Sequence, residues 1–207
     1  MSLWGDAHGA ATNKPKFLPQ DEDSNYNRAA CYATQAGWVM QAGHASSGNG
    51  NTSADPEVLV ASGGLAGATD TTGLRAPTVT SMRFVKGTTA NTDLTAVDST
   101  GRVMVEITWD EEVTVVGSPQ VVVANNNASG GGFGNYTLTY TATGSTANRK
   151  RFTATSQSLG NTDVLTLGGS NISLNSGTIS DTVRGGTAQA ASLVLSGISA
   201  VAVTIAS

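Results

Sequence analysis

Most of the chain after residue 76 alternates apolar and polar residues with the period of two that is typical of β-strands. From Val103 to Trp109 the odd-numbered positions are apolar, and Met, Glu and Thr fill the positions between them. This alternation predicts an antiparallel strand with one face in the core and the other in water. Trp109 is predicted to lie on the core face.

The same rhythm predicts further strands towards the C-terminus. Tyr136, Leu138 and Tyr140 alternate with threonines, and clusters of Gly, Asn, Asp and Ser separate the apolar runs. The runs lie at 113–116, 120–123, 152–155, 164–167, 172–174 and 193–205. Because no stretch in this region has apolar residues at helical spacing, the pattern predicts an all-β protein built as an antiparallel β-sandwich.

The apolar content divides the chain into three parts. Residues 76–207 are predicted to form the sandwich, 62–75 a linker of Gly, Thr and Ala, and 1–61 an extended N-terminal arm. The arm has too few apolar residues to offset its ordering entropy alone. Its aromatic residues favour docking on a partner surface, and the alternative is that they fold back onto the sandwich of their own chain.

Charge and cysteine content narrow the classes of partner. The 207 residues carry a formal charge of −4 with only 11 Lys and Arg, which argues against nucleic acid as a ligand. The basic run 149–151 is predicted to be a solvated strand start. Cys31 is the single cysteine and is predicted to be packed and inert.

Neither end of the chain indicates a membrane partner. The N-terminus lacks the basic and apolar regions of a secretory signal. The apolar run 193–207 is broken by Ser196, Gly197 and Ser199, and it is shorter than the roughly 20 residues that span a bilayer. We expect short strands there.

The sequence shows no catalytic constellation and no cofactor-binding motif, so we expect no enzyme. His8 and His44 lie in small-residue segments without metal-ligand spacing. The glycine-rich stretch 129–134 is predicted to be a flexible hairpin tip.

One acidic group is a candidate metal site. Asp110, Glu111 and Glu112 follow a core tryptophan at a strand end, and Asp181 or Asp163 in later loops could approach them. Such an oxygen-rich group would suit Ca²⁺. The alternative interpretation is a solvated kink that discourages edge-to-edge pairing.

Two motifs after residue 76 resemble a known family. They are TWDEEVTVVGSP at 108–119 and LNSGTISD at 174–181. They are similar to the bacterial immunoglobulin-like repeats of cell-surface proteins and tailed-phage structural proteins, which usually have Phe where this chain has Trp109. The resemblance implies an immunoglobulin-like sandwich over 76–207.

Three N-terminal motifs resemble a second family. They are MSLWG at 1–5, NKPKFL at 13–18 and GWV at 37–39. They are similar to the start of small virion structural proteins of T4-like tailed phages that infect marine cyanobacteria. The resemblance implies a particle component that is assembled in the host cytoplasm.

The two resemblances together imply a non-enzymatic virion protein. The first expectation is a capsid decoration or cement protein that docks on the major capsid protein and forms homo-oligomers in the particle. Its docking residues would be Trp4, Lys14, Lys16, Phe17, Arg28 and Trp38. The alternatives are a neck, tail or baseplate component of the cyanophage particle, or an adhesin-like module whose loops 125–135 and 144–150 bind a surface glycan.

Overall fold

The computed structural model confirms the antiparallel all-β prediction. It describes residues 14–18, 28–42, 51, 53–66, 74, 76–86, 89–90, 103–154, 158–182 and 187–206. Within these ranges the helical structure is a single 3-10 turn at Arg28–Ala30. The arrangement of the strands after residue 76 is that of a sandwich that almost closes into a barrel.

The described residues form thirteen strands. Three lie before residue 62: β1 Cys31–Thr34, β2 Gly37–Met40 and β3 Glu57–Ala61. The others are β4 Val79–Lys86, β5 Thr89–Ala90, β6 Met104–Trp109, β7 Val113–Val116, β8 Gln120–Asn125, β9 Tyr136–Thr141, β10 Arg149–Thr153, β11 Val164–Leu167, β12 Thr178–Asp181 and β13 Val201–Thr204.

The sandwich is built mainly from one large sheet. Its eight strands follow the order β13-β11-β8-β9-β10-β6-β4-β5, with antiparallel pairing between neighbours. The sheet curls until β13 lies near β4. A separate antiparallel ribbon, β7 with β12, completes the structure.

The core of the sandwich follows the predicted alternation. Val105, Ile107 and Trp109 of β6 are fully buried, and the indole Nε1 of Trp109 donates to the Ser192 carbonyl at 3.2 Å. Leu138 of β9 is also buried in this core. The sequence therefore identified the inward face of the central strands correctly.

The prediction that the other face of β6 lies in water is wrong. Glu106 is only 2% exposed, and its carboxylate accepts from Arg83 Nε at 3.1 Å and from Arg151 Nε at 3.2 Å. Arg149 lies 3.9 Å away from the same carboxylate. The basic run 149–151 is thus a strand start as predicted, but it is not solvated: Arg149 and Arg151 lie at Glu106, and buried Lys150 donates to the Thr146 carbonyl.

The extended arm is a further correction. Strands β1, β2 and β3 form a three-stranded antiparallel sheet, which we call the N-terminal sheet. Leu18, Trp38, Met40 and Leu65 meet in a small core of its own. Trp38 is buried in this small core, so its side chain neither docks on a partner nor folds back onto the sandwich as the alternative predicted.

The remaining strand predictions are partly correct. Residues 164–167 form a strand as predicted, whereas 172–174 contribute only an isolated bridge between Ser173 and Gln120. Within 193–205 the strand is limited to Val201–Thr204. None of the described residues form a helix with the length and apolar character needed to cross a bilayer.

Candidate functional site

The N-terminal sheet joins the sandwich directly after Trp109. The Ala33 N–H donates to the Asp110 carbonyl at 2.7 Å, and Ala33 and Glu111 form a parallel bridge. The buried Asn148 amide donates to the carbonyls of Ala29 and Trp109, both at 2.9 Å. One side-chain amide therefore connects the 3-10 turn before β1 with the end of β6.

A cleft of about 350 Å³ opens beside this junction. It lies between the β1–β2 turn, the start of β3 and the loops that follow β6 and β12. Its apolar lining is Ala33, Ala36, Val39, Pro56, Val58 and Ala66, and its polar lining is Thr34, Gln35, Asp55, Glu111, Glu112, Asp181 and Thr182. The cleft thus combines aliphatic walls with four carboxyl groups.

Asp110 is a structural residue beneath the cleft. Its Oδ1 accepts from the Thr78 N–H at 2.6 Å, which fixes the start of β4. Burial raises the pKa of this carboxyl to about 6, although the Thr78 hydrogen bond and the charge of Lys14 oppose the change. Since Asp110 is fully buried, the interpretation of 110–112 as a solvated kink is wrong at this residue.

Glu111 is the most perturbed acid of the cleft. It is 3% exposed, and its Oε1 has no hydrogen-bond partner among the described residues. Burial, followed by the charges of Asp110 and Asp181, raises its pKa to about 8. Near neutral pH this carboxyl is therefore largely protonated, and it ionises when a positive charge approaches.

Asp181 and Glu112 complete the acidic side of the cleft. Asp181 is buried, and its Oδ1 accepts from the Gln189 N–H at 2.6 Å; burial raises its pKa. Glu112 is half-buried and interacts electrostatically with Lys150, whose own pKa burial lowers to about 8.

The calcium hypothesis is not supported by this geometry. Asp110, Glu111, Glu112 and Asp181 approach one another, yet the described part of the chain contains no group of three or more His, Cys, Asp or Glu placed to hold a metal ion. Asp163 does not join them, since its carboxylate binds the Ser129 N–H at 2.7 Å and the Asn125 amide at 2.9 Å. The acids surround a space larger than an ion.

The Asp163 contacts also change the interpretation of loop 125–135. Asn127 Oδ1 accepts from the Phe133 N–H at 3.1 Å, and Asn135 Oδ1 accepts from the Asn125 N–H at 3.0 Å. These bonds fold the glycine-rich segment back on itself. The expected flexible hairpin tip is instead tied down by side-chain amides.

The predicted docking residues are divided by the structure into buried and exposed groups. Lys14 and Trp38 are buried, which corrects their assignment to a partner surface. Phe17 is 62% exposed and Lys16 is exposed beside it. Trp4 lies outside the described residues.

Arg28 holds the backbone of Lys16 and Leu18 through hydrogen bonds. Its Nη2 donates to the carbonyls of Lys16 and Leu18, both at 3.1 Å, and the Leu18 N–H donates to the Pro15 carbonyl at 3.3 Å. We call residues 14–18 the Phe17 turn. Buried Lys14 and Leu18 anchor its two ends, so the turn presents Phe17 and Lys16 on a fixed base.

The glycine of the GWV motif has a specific structural role. Gly37 has φ of +131°, and a Cβ there would collide with the Val60 carbonyl oxygen. The residue therefore allows β2 to approach β3 closely, and Trp38 then enters the small core. In this chain the motif builds the N-terminal sheet.

Sequence reasoning missed several residues of the site. No local sequence pattern marks Thr34, Asp55 or Asn148, because these residues reach the site only when distant segments of the chain meet. The raised pKa of Glu111 follows from a burial that an acidic triplet does not indicate. The NKPKFL motif marked Lys14, Lys16 and Phe17 as candidate docking residues, but the sequence did not predict the turn that they form.

Comparison of the chain with protein-family models, with curated proteins and with solved structures finds no match. The class that the fold defines is an all-β protein with a sandwich and an attached three-stranded sheet. The two family resemblances rest on their sequence motifs alone.

Proposed function

We propose that the protein is a non-enzymatic structural component of a phage virion, and specifically a decoration or cement protein of the capsid. The observation that carries the proposal is the Phe17 turn. Residues 14–18 of the NKPKFL motif, which resembles the virion family, form a turn that exposes a large aromatic side chain beside a cation.

The backbone of the Phe17 turn is already held in place before any partner binds. Phe17 is 62% exposed, and docking it costs little backbone entropy because Arg28 and Leu18 already hold the backbone of the turn. Aromatic anchors of this kind carry a large share of binding energy at interfaces. The partner we propose is the major capsid protein, and homo-oligomers in the particle are part of the same proposal.

Co-sedimentation of the full-length chain with capsids that lack it tests the proposal. We expect Phe17→Ala to weaken capsid binding by about tenfold or more, and Lys16→Ala to weaken it less. Val116→Ala is the matched control, since Val116 is 60% exposed on β7 and should leave binding unchanged.

The type of particle that the chain binds distinguishes a capsid protein from a neck, tail or baseplate component. Binding to purified tails or baseplates instead of capsids would favour the neck, tail or baseplate alternative. If neither particle binds the chain, or if Phe17→Ala and Val116→Ala behave alike, docking through the Phe17 turn is excluded. Saturable binding on a glycan array would favour the adhesin-like alternative.

A further inference from the structure

We propose that the acidic cleft beside Ala33 binds a guanidinium group, namely an arginine side chain presented by a partner polypeptide. The inference goes beyond the virion proposal and does not depend on it, because it concerns the cleft and not the Phe17 turn.

The buried Glu111 carboxyl has an unsatisfied hydrogen-bond acceptor. Buried polar atoms in folded proteins almost always have a hydrogen-bond partner, yet Glu111 Oε1 has none within the ranges that the structure describes. The residue lines the cleft and is 3% exposed. A ligand that donates hydrogen bonds would complete this site.

The cleft has the charge and the size of a site for a small organic cation. Glu111, Glu112, Asp181 and Asp55 line the cleft from three separate segments, so the ligand should be cationic. Its volume of about 350 Å³ lies in the range of small-ligand pockets, about 300–1,000 Å³. Because the described acids are not arranged around a metal ion, an organic cation fits better.

The walls of the cleft favour arginine over other organic cations. Val39, Val58 and Pro56 provide aliphatic walls that suit the apolar stem of a long side chain. A guanidinium has five N–H donors in one plane and is weakly hydrated, whereas an ammonium is a compact, strongly hydrated charge. Several carboxylates around a half-apolar space therefore favour arginine over lysine.

Binding should be linked to pH through Glu111. Its pKa is raised to about 8, so an incoming guanidinium displaces a proton from the neutral carboxyl. The groups around it are Asp110, Asp181, Glu112 and Asp55, together with Lys14 near Asp110 and Lys150 near Glu112. We expect affinity to fall as the pH is lowered from 8 to 6.

The test is calorimetric titration of the full-length chain at pH 8 with three blocked tripeptides, Gly-X-Gly with X as arginine, lysine or citrulline. Citrulline keeps the shape of arginine and removes its charge. We expect saturable binding of the arginine peptide, weaker binding of the lysine peptide and none of the citrulline peptide. Calcium chloride is titrated in parallel.

The variants connect binding to the cleft. Glu111→Gln should weaken the arginine peptide by about tenfold or more. Glu57→Gln is the matched control, because Glu57 is exposed on β3 and does not line the cleft; it should bind within about twofold of the unchanged chain.

Four outcomes would overturn the proposal. They are no binding of the arginine peptide, equal binding of the citrulline peptide, binding unaffected by Glu111→Gln, or calcium binding that Glu111→Gln abolishes.

A further outcome that would overturn the proposal concerns Arg184, which follows Thr182 closely in sequence and lies outside the described residues. Binding that appears only after Arg184→Gln would assign the cleft to an arginine of this chain.

Discussion

The sandwich and the N-terminal sheet are stabilised in different ways. The sandwich encloses a large continuous core around Trp109, Phe84 and Phe152. The N-terminal sheet has a small core around Trp38 and depends in addition on Asp110, Asn148 and the backbone of the sandwich. The comparison teaches that a segment too poor in apolar residues to fold alone can still be ordered when a neighbouring domain supplies the missing contacts.

Substitution of Trp109 should have the largest effect. Trp109→Ala leaves a cavity at the centre of the sandwich and removes the hydrogen bond to Ser192, and we expect the free energy of unfolding to fall by about 3–5 kcal/mol. Chemical denaturation followed by far-UV circular dichroism measures it. Val194→Ala, at an exposed position, should change stability by less than about 0.5 kcal/mol.

The buried ion cluster of the sandwich ranks next. Glu106→Gln removes the charge that compensates Arg83, Arg149 and Arg151, and we expect a loss of about 3 kcal/mol. The matched control is Glu57→Gln on the exposed face of β3. Equal denaturation midpoints for the two variants would show that the cluster contributes no net stability.

Trp38→Ala should separate the two regions. It empties the small core, and we expect the free energy of local opening of the N-terminal sheet to fall by about 2–3 kcal/mol while the sandwich keeps its protection from hydrogen exchange. Cys31 reports the opening, because it is fully buried and burial raises its pKa to about 12. Its thiol should alkylate faster in the variant.

The contrary result for Trp38→Ala is that both sheets lose their protection together. Simultaneous loss of exchange protection in 28–42 and in 103–154 would show that the two sheets unfold as one cooperative unit. The N-terminal sheet would then have no stability separate from that of the sandwich.

The smallest effect concerns the junction and its pH dependence. The pKa of Glu111 in the folded chain is about 8, above the ordinary 4.5, so the folded state binds more protons than the unfolded state between these values. Stability therefore falls as pH rises from about 5 to 8.

Thermal melts of the unchanged chain and of Glu111→Gln at pH 5, 6, 7 and 8 measure this effect. We expect a shallower pH dependence for Glu111→Gln. Identical slopes for the two chains would assign the pH dependence to other groups, such as Asp110 and Asp181.

The strands of the sandwich could be predicted because their period-two alternation is a local property. Val164–Leu167 and the inward face of β6 follow from it directly. The N-terminal sheet could not be predicted, because Ala33 pairs with the segment after Trp109 and Arg28 holds the turn around Phe17. Long-range contacts also decide the burial of Glu106 and Lys150, which look like ordinary solvated charges in the sequence.

The Asn148 contact has a consequence for the order of folding. It joins residues 119 positions apart, and during synthesis the N-terminal segment leaves the ribosome long before β10 is made. Until then the Ala29 carbonyl lacks this hydrogen-bond donor, and contacts of such large sequence separation form slowly. The backbone before β1 can therefore reach this native contact only after residue 148 has been made.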